Sequence, residues 1–107
     1  MKTCYVFVLA LLAATAIAAV PQTPPSNQSL TDNPVFQQNC AKCHGKKADG
    51  RMFAGPSLRS PKVTSSSEDQ LRELITNGKH RMPKFAGKLS PEEIDTLVQQ
   101  IKALSSK

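Results

Sequence analysis

An irregular segment at residues 45–65 constrains the fold of this 107-residue chain more than any other feature of its sequence. The segment has no helical or strand period, and Gly50, Gly55-Pro56 and Pro61 interrupt it. Compact domains seldom contain so long a connection without secondary structure. The flanking segments hold few large apolar side chains, too few for an ordinary core. We therefore expect a large, flat, apolar cofactor in the interior, with this segment wrapped around it.

Three short helices are predicted around that segment. The first begins near Asn33, an N-cap residue followed by proline, and continues to residue 44. The second covers residues 67–77, with a Ser67–Gln70 capping box and a stop at Asn77-Gly78. The third begins at Ser90, and its apolar residues recur at helical spacing: Ile94, Leu97, Val98, Ile101 and Leu104. Since the sequence has no strand pattern, an all-α fold is expected.

The N-terminus has the pattern of a secretory signal peptide at residues 1–18. Lys2 precedes an apolar run that begins at Tyr5, and Ala16 and Ala18 supply the small residues for cleavage. The run is too short for a membrane-spanning helix, which needs about 20 apolar residues. We therefore expect a cleaved, periplasmic protein without stable membrane insertion. The polar, proline-rich residues 19–31 are predicted to be a flexible leader, and residues 32–107 a folded domain that is monomeric.

Two of the three cysteines carry the main chemical signal. Cys4 lies in the predicted signal peptide, which leaves Cys40 and Cys43 in the sequence Cys-Ala-Lys-Cys-His. This spacing, followed directly by His44, is the attachment pattern of c-type haem. The two thiols add to the two vinyl groups on one haem edge, and the histidine binds the iron. The motif predicts one covalently bound haem c.

Three other interpretations of these residues are weaker. A thioredoxin-like redox pair would need a strand before the motif, and none is predicted. A zinc site from Cys40, Cys43, His44 and His80 has four ligands, but adjacent Cys43 and His44 are awkward ligands for one tetrahedral ion. A disulfide between Cys40 and Cys43 on a helix would be strained and would close almost no loop.

An iron bound by His44 needs a second ligand on its opposite face, from a segment that returns across the cofactor. Met52 and Met82 are the methionines left after signal cleavage. Met52 is too close to His44 in the chain to reach that face easily. Met82 follows a helix and its stop, and Pro83 holds its loop extended, so Met82 is the predicted ligand. His80 is the rival, and its coordination would give a lower reduction potential than methionine.

Around these motifs the chain resembles the class I cytochromes c, especially the short bacterial and photosynthetic types. The resemblance extends from about Asn33 to Leu104 and includes Val35–Gly45, Gly55–Leu58, Met82–Phe85 and Leu89–Ile94. It implies the cytochrome c fold, in which three main short helices and long loops surround one haem. It also implies that the Pro56 carbonyl accepts the Nδ1 hydrogen of His44, and that Leu58 packs on the haem face.

The surroundings of the haem are less completely determined. The chain has no tryptophan, and its one tyrosine is Tyr5 in the signal peptide. The indole or phenol that some relatives use for the haem propionates is therefore missing, and Arg59, Lys62 or a Ser or Thr of the loop remain candidates. Nine apolar side chains are expected around the ring: Phe36, Phe53, Leu58, Leu71, Leu74, Ile75, Phe85, Leu97 and Val98.

The resemblance implies a soluble electron carrier between redox partners outside the cytoplasm, and not an enzyme. The alternative is a haem enzyme or gas sensor with a distal site that can open, but Met82-Pro83 fills that position.

The distribution of basic residues indicates the kind of redox partner that the protein would bind. Cleavage removes only Lys2 and lowers the net charge from +6 to +5. Nucleic acid is not expected, because an exported protein rarely meets it and the chain lacks interleaved aromatic residues. Two basic groups flank the ligands: Lys42, Lys46, Lys47 and Arg51, and Lys79, Arg81, Lys84 and Lys88. We expect them to form a positive ring that docks on an acidic redox partner.

Overall fold

The computed structural model describes residues 27–106, together with Thr15. Five α-helices are formed there: α1 (Pro34–Asn39), α2 (Ala41–His44), α3 (Pro61–Thr64), α4 (Glu68–Asn77) and α5 (Pro91–Ala103). Short 3-10 turns precede α1 at Leu30–Asp32 and follow α5 at Leu104–Ser106. The described residues form isolated bridges but no strand, and the all-α prediction is confirmed. The predicted signal peptide lies outside the described residues, apart from Thr15.

The first predicted helix is divided into two. Asn33 caps α1 as expected, since its side-chain oxygen accepts a hydrogen bond from the Val35 amide at 2.9 Å. The helix is interrupted at Cys40, whose φ of −118° departs from helical geometry. The chain then makes the single turn of α2, and Gly45 ends it with a φ of +83°. The interruption gives the two cysteines different surroundings, because Cys40 precedes α2 and Cys43 lies within it.

The two longer helices begin as their capping boxes predict. Ser67 and Ser90 each accept a hydrogen bond from the backbone amide three residues later. The side chains of Gln70 and Glu93 accept in return from the amides of the two serines. Helices α4 and α5 pack against each other, and Arg72 of α4 binds Asp95 of α5. This pair of helices forms the wall opposite α1 and α2.

The irregular segment contains a short helix that the sequence pattern did not predict. Helix α3 has Pro61 in its first turn, and its Val63 packs against the core. The Lys102 ammonium of α5 donates to the carbonyls of Thr64 and Ser66, at 2.7 and 2.8 Å. Ser60 and Pro61 form the same N-cap and first-turn pattern that begins the other helices, but a helix of four residues is too short to show a hydrophobic period.

The folded part of the chain begins before the predicted boundary at residue 32. Leu30 is only 1% exposed and belongs to the core. Asn33, also 1% exposed, donates from its side-chain amide to Gln100 of α5 at 2.9 Å. The Gln100 amide in turn donates to the Gln28 carbonyl. The two ends of the domain are thus joined by a polar network in which each buried side-chain nitrogen and oxygen has a partner.

None of the helices formed by residues 27–106 has the length and apolar character required to cross a membrane.

Candidate cofactor-binding site

A cavity of about 920 Å³ lies between α1 and α2 on one side and α4 and α5 on the other. Its walls combine helix side chains with parts of the irregular segment and the loop after α4. The six residues predicted to bind the cofactor all line it: Cys40, Cys43, His44, Pro56, Leu58 and Met82. Residues from distant parts of the chain are thus brought to one site.

On the first side of the cavity, His44 is held at both its backbone and its ring. Its Nδ1 donates to the Pro56 carbonyl at 2.8 Å, the contact that the sequence resemblance implied. The His44 carbonyl accepts from the Gly50 amide at 2.7 Å. A neutral imidazole that donates from Nδ1 has its lone pair on Nε2, and this is the form of histidine that binds a metal ion.

Gly55 makes this arrangement possible by its lack of a side chain. A Cβ at this position would lie 2.8 Å from the Cys43 carbonyl oxygen and 3.3 Å from His44 Nδ1. The segment carrying Pro56 can therefore approach α2 closely only if residue 55 is glycine. In the sequence, Gly55 is one of the residues that prevent a regular helix or strand at 45–65, and it is part of a family motif. Its steric role is visible only in the contact between Gly55 and Cys43 in the structure.

The two thiols also lie at the cavity, but in unequal environments. Burial, with a smaller contribution from neighbouring Cys43, raises the pKa of Cys40 to about 11. Cys40 is therefore a neutral thiol at neutral pH. A nucleophilic cysteine of a redox pair requires the opposite, a lowered pKa. Residues 27–106 also contain no cluster of three or more His, Cys, Asp or Glu side chains that could hold a metal ion, which disfavours the zinc alternative.

The opposite side of the cavity is built on the end of α4. The amides of Phe85 and Ala86 donate to the carbonyls of Ile75 and Thr76, at 3.1 and 3.0 Å. These are carbonyls of the last helical turn, which would otherwise lack partners. The loop carrying Met82 is thereby fastened across the helix end.

Met82 itself lies in a tight turn that closes on Lys79. The two residues exchange backbone hydrogen bonds of 3.0 and 3.2 Å, and His80 between them has a φ of +56°. Gly78, with a φ of +72°, packs so closely that a Cβ there would be 2.5 Å from the Met82 carbonyl oxygen. Met82 and His80 both line the cavity, so the rival ligands predicted from the sequence occupy the same turn.

The apolar lining agrees with the sequence prediction except at two residues. Phe53 is 91% exposed and does not line the cavity, so its placement around the ring was wrong. It lies in the turn at 51–54, where its φ is +63°. Val98 is fully buried in the helix packing rather than on the cavity wall. The seven that line the cavity are Phe36, Leu58, Leu71, Leu74, Ile75, Phe85 and Leu97.

Of the candidate partners for haem propionates, Arg59 lies away from the cavity. Its guanidinium binds Asp49 at 3.1 Å and the Lys47 carbonyl at 3.1 Å, and it does not line the wall. Lys62, Ser60 and Ser66 do line it.

These residues fit a haem. The walls are mostly apolar, the volume is within the range of cofactor sites, about 300–1,000 Å³, and two thiols and an oriented imidazole lie at the same cavity. A methionine sulfur and an imidazole nitrogen are both established axial ligands of haem iron in proteins.

Comparison with known proteins gives the same picture. Residues 31–101 match the family model described as cytochrome c oxidase, cbb3-type, subunit III. Cytochrome c-555 of Methylococcus capsulatus is 35% identical over 100 residues, which cover 91% of this chain and 80% of that protein. A cytochrome c6 of Synechococcus sp. is 30% identical over 113 residues, covering 100% of this chain and 96% of that one.

A solved structure has a similar fold. The cytochrome c6 of the diatom Phaeodactylum tricornutum superimposes with a TM-score of 0.58 at 24% identity, covering 74% of this chain and 97% of that one.

Gly55→Ala tests the close approach of Pro56 to His44. The added methyl group would collide with the Cys43 carbonyl, and relieving an overpacked contact costs about 1–3 kcal/mol. We expect the haem-loaded variant to unfold at a lower denaturant concentration and to lose part of its low-spin absorption spectrum. Pro56→Ala is the matched control, since it keeps the backbone carbonyl that accepts from His44. Equal stability and equal spectra for the two variants would contradict the steric role of Gly55.

Proposed function

The chain belongs to the small class I c-type cytochromes, and on that premise we propose that it is a one-electron carrier whose haem iron is ligated by His44 and Met82. The family match and the cytochrome relatives support a haem c electron carrier, with the haem held covalently. The observation that carries the proposal is that two fixed side chains line one cavity: His44, held on the Pro56 carbonyl, and Met82, held in the turn on α4.

The choice of Met82 over His80 is supported by how the turn is held. The Met82 amide and carbonyl are both bonded to Lys79, and Gly78 packs against the carbonyl. The Met82 side chain is also partly buried against the core, whereas His80 is exposed. A ligand that is already ordered and desolvated loses less conformational freedom on binding than an exposed one.

The residues of the chain would serve electron transfer by keeping the site unchanged between oxidation states. Haem supplies an iron that cycles between the ferrous and ferric states. His44 is held in one tautomer and one orientation by Pro56, which limits its movement. With haem in the cavity, the apolar wall formed by residues such as Leu71 and Phe85 would exclude water from it. Low polarity around the site disfavours the additional positive charge of the ferric state and so raises the potential.

The protein is proposed to work in the periplasm as a monomer after cleavage of residues 1–18. Support comes from the sequence pattern of the N-terminus. A covalent tether also suits that compartment, because a lost haem could not be readily replaced there. N-terminal sequencing of protein recovered from the periplasm should begin at Ala19, and a chain retaining Met1 in the membrane fraction would contradict the proposal.

The proposed docking surface surrounds the cavity. Lys42, Lys79 and Arg81 lie on the cavity wall, and all three are exposed. Arg51 donates to the Lys42 carbonyl at 2.7 Å, which keeps it beside them. Most of the acidic residues lie on α4 and α5: Glu68, Asp69, Glu73, Glu92, Glu93 and Asp95. Of these six, Glu73 lines the cavity and the other five do not. The excess of basic groups on the cavity wall would orient the cavity toward an acidic partner before contact.

The surface also has an apolar centre. Met52 and Phe53 are adjacent and 86% and 91% exposed. The Arg81 guanidinium approaches the Phe53 carbonyl at 3.5 Å, so the two apolar side chains lie close to the basic ones. Interfaces commonly combine a small apolar contact with a charged rim. The proposed partner therefore presents carboxylates around an apolar surface.

Met82→Ala tests the ligation and separates it from the alternative functions. We expect the ferric protein to lose the weak long-wavelength absorption band of methionine ligation, while His80→Asn and Met52→Leu keep it. Wild-type reduced protein should also fail to bind carbon monoxide at neutral pH. Loss of the band in His80→Asn alone would assign the ligand to His80. Ready binding of carbon monoxide by the wild type would favour a haem enzyme or gas sensor.

Ionic strength tests the docking surface without a known partner. The rate of oxidation by hexacyanoferrate(III), an anion, should fall as salt increases, while oxidation by a cationic cobalt(III) complex should accelerate, because salt screens attraction and repulsion alike. Lys79→Gln should slow the reaction with the anion more than Gln99→Glu, which changes the net charge equally but lies on α5. Equal effects of the two variants would mean that net charge, not the position of the basic groups, controls the rate.

A further inference from the structure

We propose that Met52 is an oxidation site: its thioether accepts an oxygen atom from a peroxide and becomes methionine sulfoxide, while Met82 keeps its thioether. The inference goes beyond the proposed function, because it assigns chemistry to a residue outside the cavity. Only the state of Met82 rests on that function.

The two methionines within residues 27–106 differ in their access to solvent. Met52 is 86% exposed and does not line the cavity. Met82 lines the cavity and packs, partly buried, against the core. Oxidation of a thioether requires contact between the sulfur and the oxidant, so susceptibility follows exposure. Met52 is therefore the methionine that a dissolved peroxide reaches first.

The turn at 51–55 holds Met52 in its exposed position. Arg51 and Gly55 exchange backbone hydrogen bonds of 3.0 and 3.2 Å, and the Ala54 amide donates to the Arg51 carbonyl at 3.1 Å. The Arg51 guanidinium also donates to the Lys42 carbonyl at 2.7 Å, which fixes the base of the turn next to α2. Because both ends of the turn are bonded, Met52 at its tip stays in solvent.

The reaction is the transfer of one oxygen atom. A lone pair of the Met52 sulfur attacks one oxygen of hydrogen peroxide, the O–O bond breaks and an S–O bond forms. The proton of the attacked oxygen moves to the departing oxygen, which leaves as water. The sulfur loses two electrons and the peroxide gains two, so the iron supplies none. The product, methionine sulfoxide, is polar and can be reduced back to methionine by methionine sulfoxide reductases.

Met82 is protected from the same reaction by its place in the fold. Its backbone amide and carbonyl are both bonded to Lys79, which keeps the residue at the cavity wall. In the haem-loaded protein, ligation would also engage the sulfur lone pair that oxygen transfer requires. The oxidised protein would therefore keep its ligand and its potential.

The change would instead fall on the proposed docking surface. Met52 and the adjacent Phe53 form its apolar centre. A sulfoxide makes half of that centre polar but adds no net charge, so the basic groups around it keep their effect. Peroxide would thus weaken the apolar part of docking while the iron site stays intact.

The test treats the ferric, haem-loaded protein with hydrogen peroxide and follows each methionine by mass spectrometry. A lysine-specific protease releases Met52 in residues 48–62 and Met82 in residues 80–84. We expect the first peptide to gain one oxygen about tenfold faster than the second, while the weak long-wavelength band of methionine ligation is retained. Methionine sulfoxide reductase should remove that oxygen, which excludes oxidation of Phe53 in the same peptide.

Two variants of Met52 are the matched controls. Met52→Leu should gain no oxygen in residues 48–62. The oxidised wild type and Met52→Gln should both elute from a phenyl column earlier than Met52→Leu, because each has a polar group at this position. Oxidation of Met82 as fast as that of Met52, or equal retention of the three proteins, would overturn the proposal. A band that is missing before peroxide is added would instead overturn the ligation by Met82.

Discussion

The hydrogen bond between His44 and the Pro56 carbonyl is the interaction on which the rest of the structure depends. It joins α2 to the middle of the irregular segment, across 12 positions of the chain. By fixing that point it determines where Leu58 enters the core and how the remaining segment returns to α3 and α4. Gly55 permits the contact because it has no side chain, and the Gly50 amide donates a hydrogen bond to the His44 carbonyl. One bond therefore sets both the ligand geometry and the course of the loop.

Because of the cavity, this small domain depends on hydrogen bonds between residues that are far apart in the chain. Much of its apolar surface faces the cavity rather than other side chains, so the helices cannot rely on direct packing alone. The buried Asn33–Gln100 pair joins the two ends of the domain, and Lys102 holds the end of α3. Domains have a net stability of only about 5–15 kcal/mol, so a cofactor that fills the apolar cavity contributes to the folding of the protein as well as to its chemistry.

Local patterns predicted the parts of the structure that local forces determine. The capping boxes of Ser67 and Ser90 and the glycine after α4 are all present, since their hydrogen bonds join residues three or four positions apart. The haem motif was readable for the same reason, because two thiols and a histidine must lie within five consecutive residues. The order of helix, stop and proline predicted Met82 as the second ligand, and the family resemblance added the contact between Pro56 and His44.

Predictions from the sequence are wrong or incomplete where contacts between residues far apart in the chain determine the structure. Lys102 bonds to the end of α3 from a distant part of the chain, and Leu30 joins the core although its neighbours are polar. Phe53 was placed around the ring as an apolar side chain, but it lies exposed in a turn where its φ is positive. Arg59 and Lys62 are equivalent candidates in the sequence, but Arg59 binds Asp49 and the Lys47 carbonyl away from the cavity, whereas Lys62 lines it.

The most direct test of the central claim is the intact mass of the exported protein after denaturation and extraction with acidified solvent. If Cys40 and Cys43 hold the haem through thioether bonds, the measured mass will equal the mature chain plus one haem. A mass equal to the chain alone would show that no haem is covalently attached, and would contradict the assignment of this chain as a haem c electron carrier.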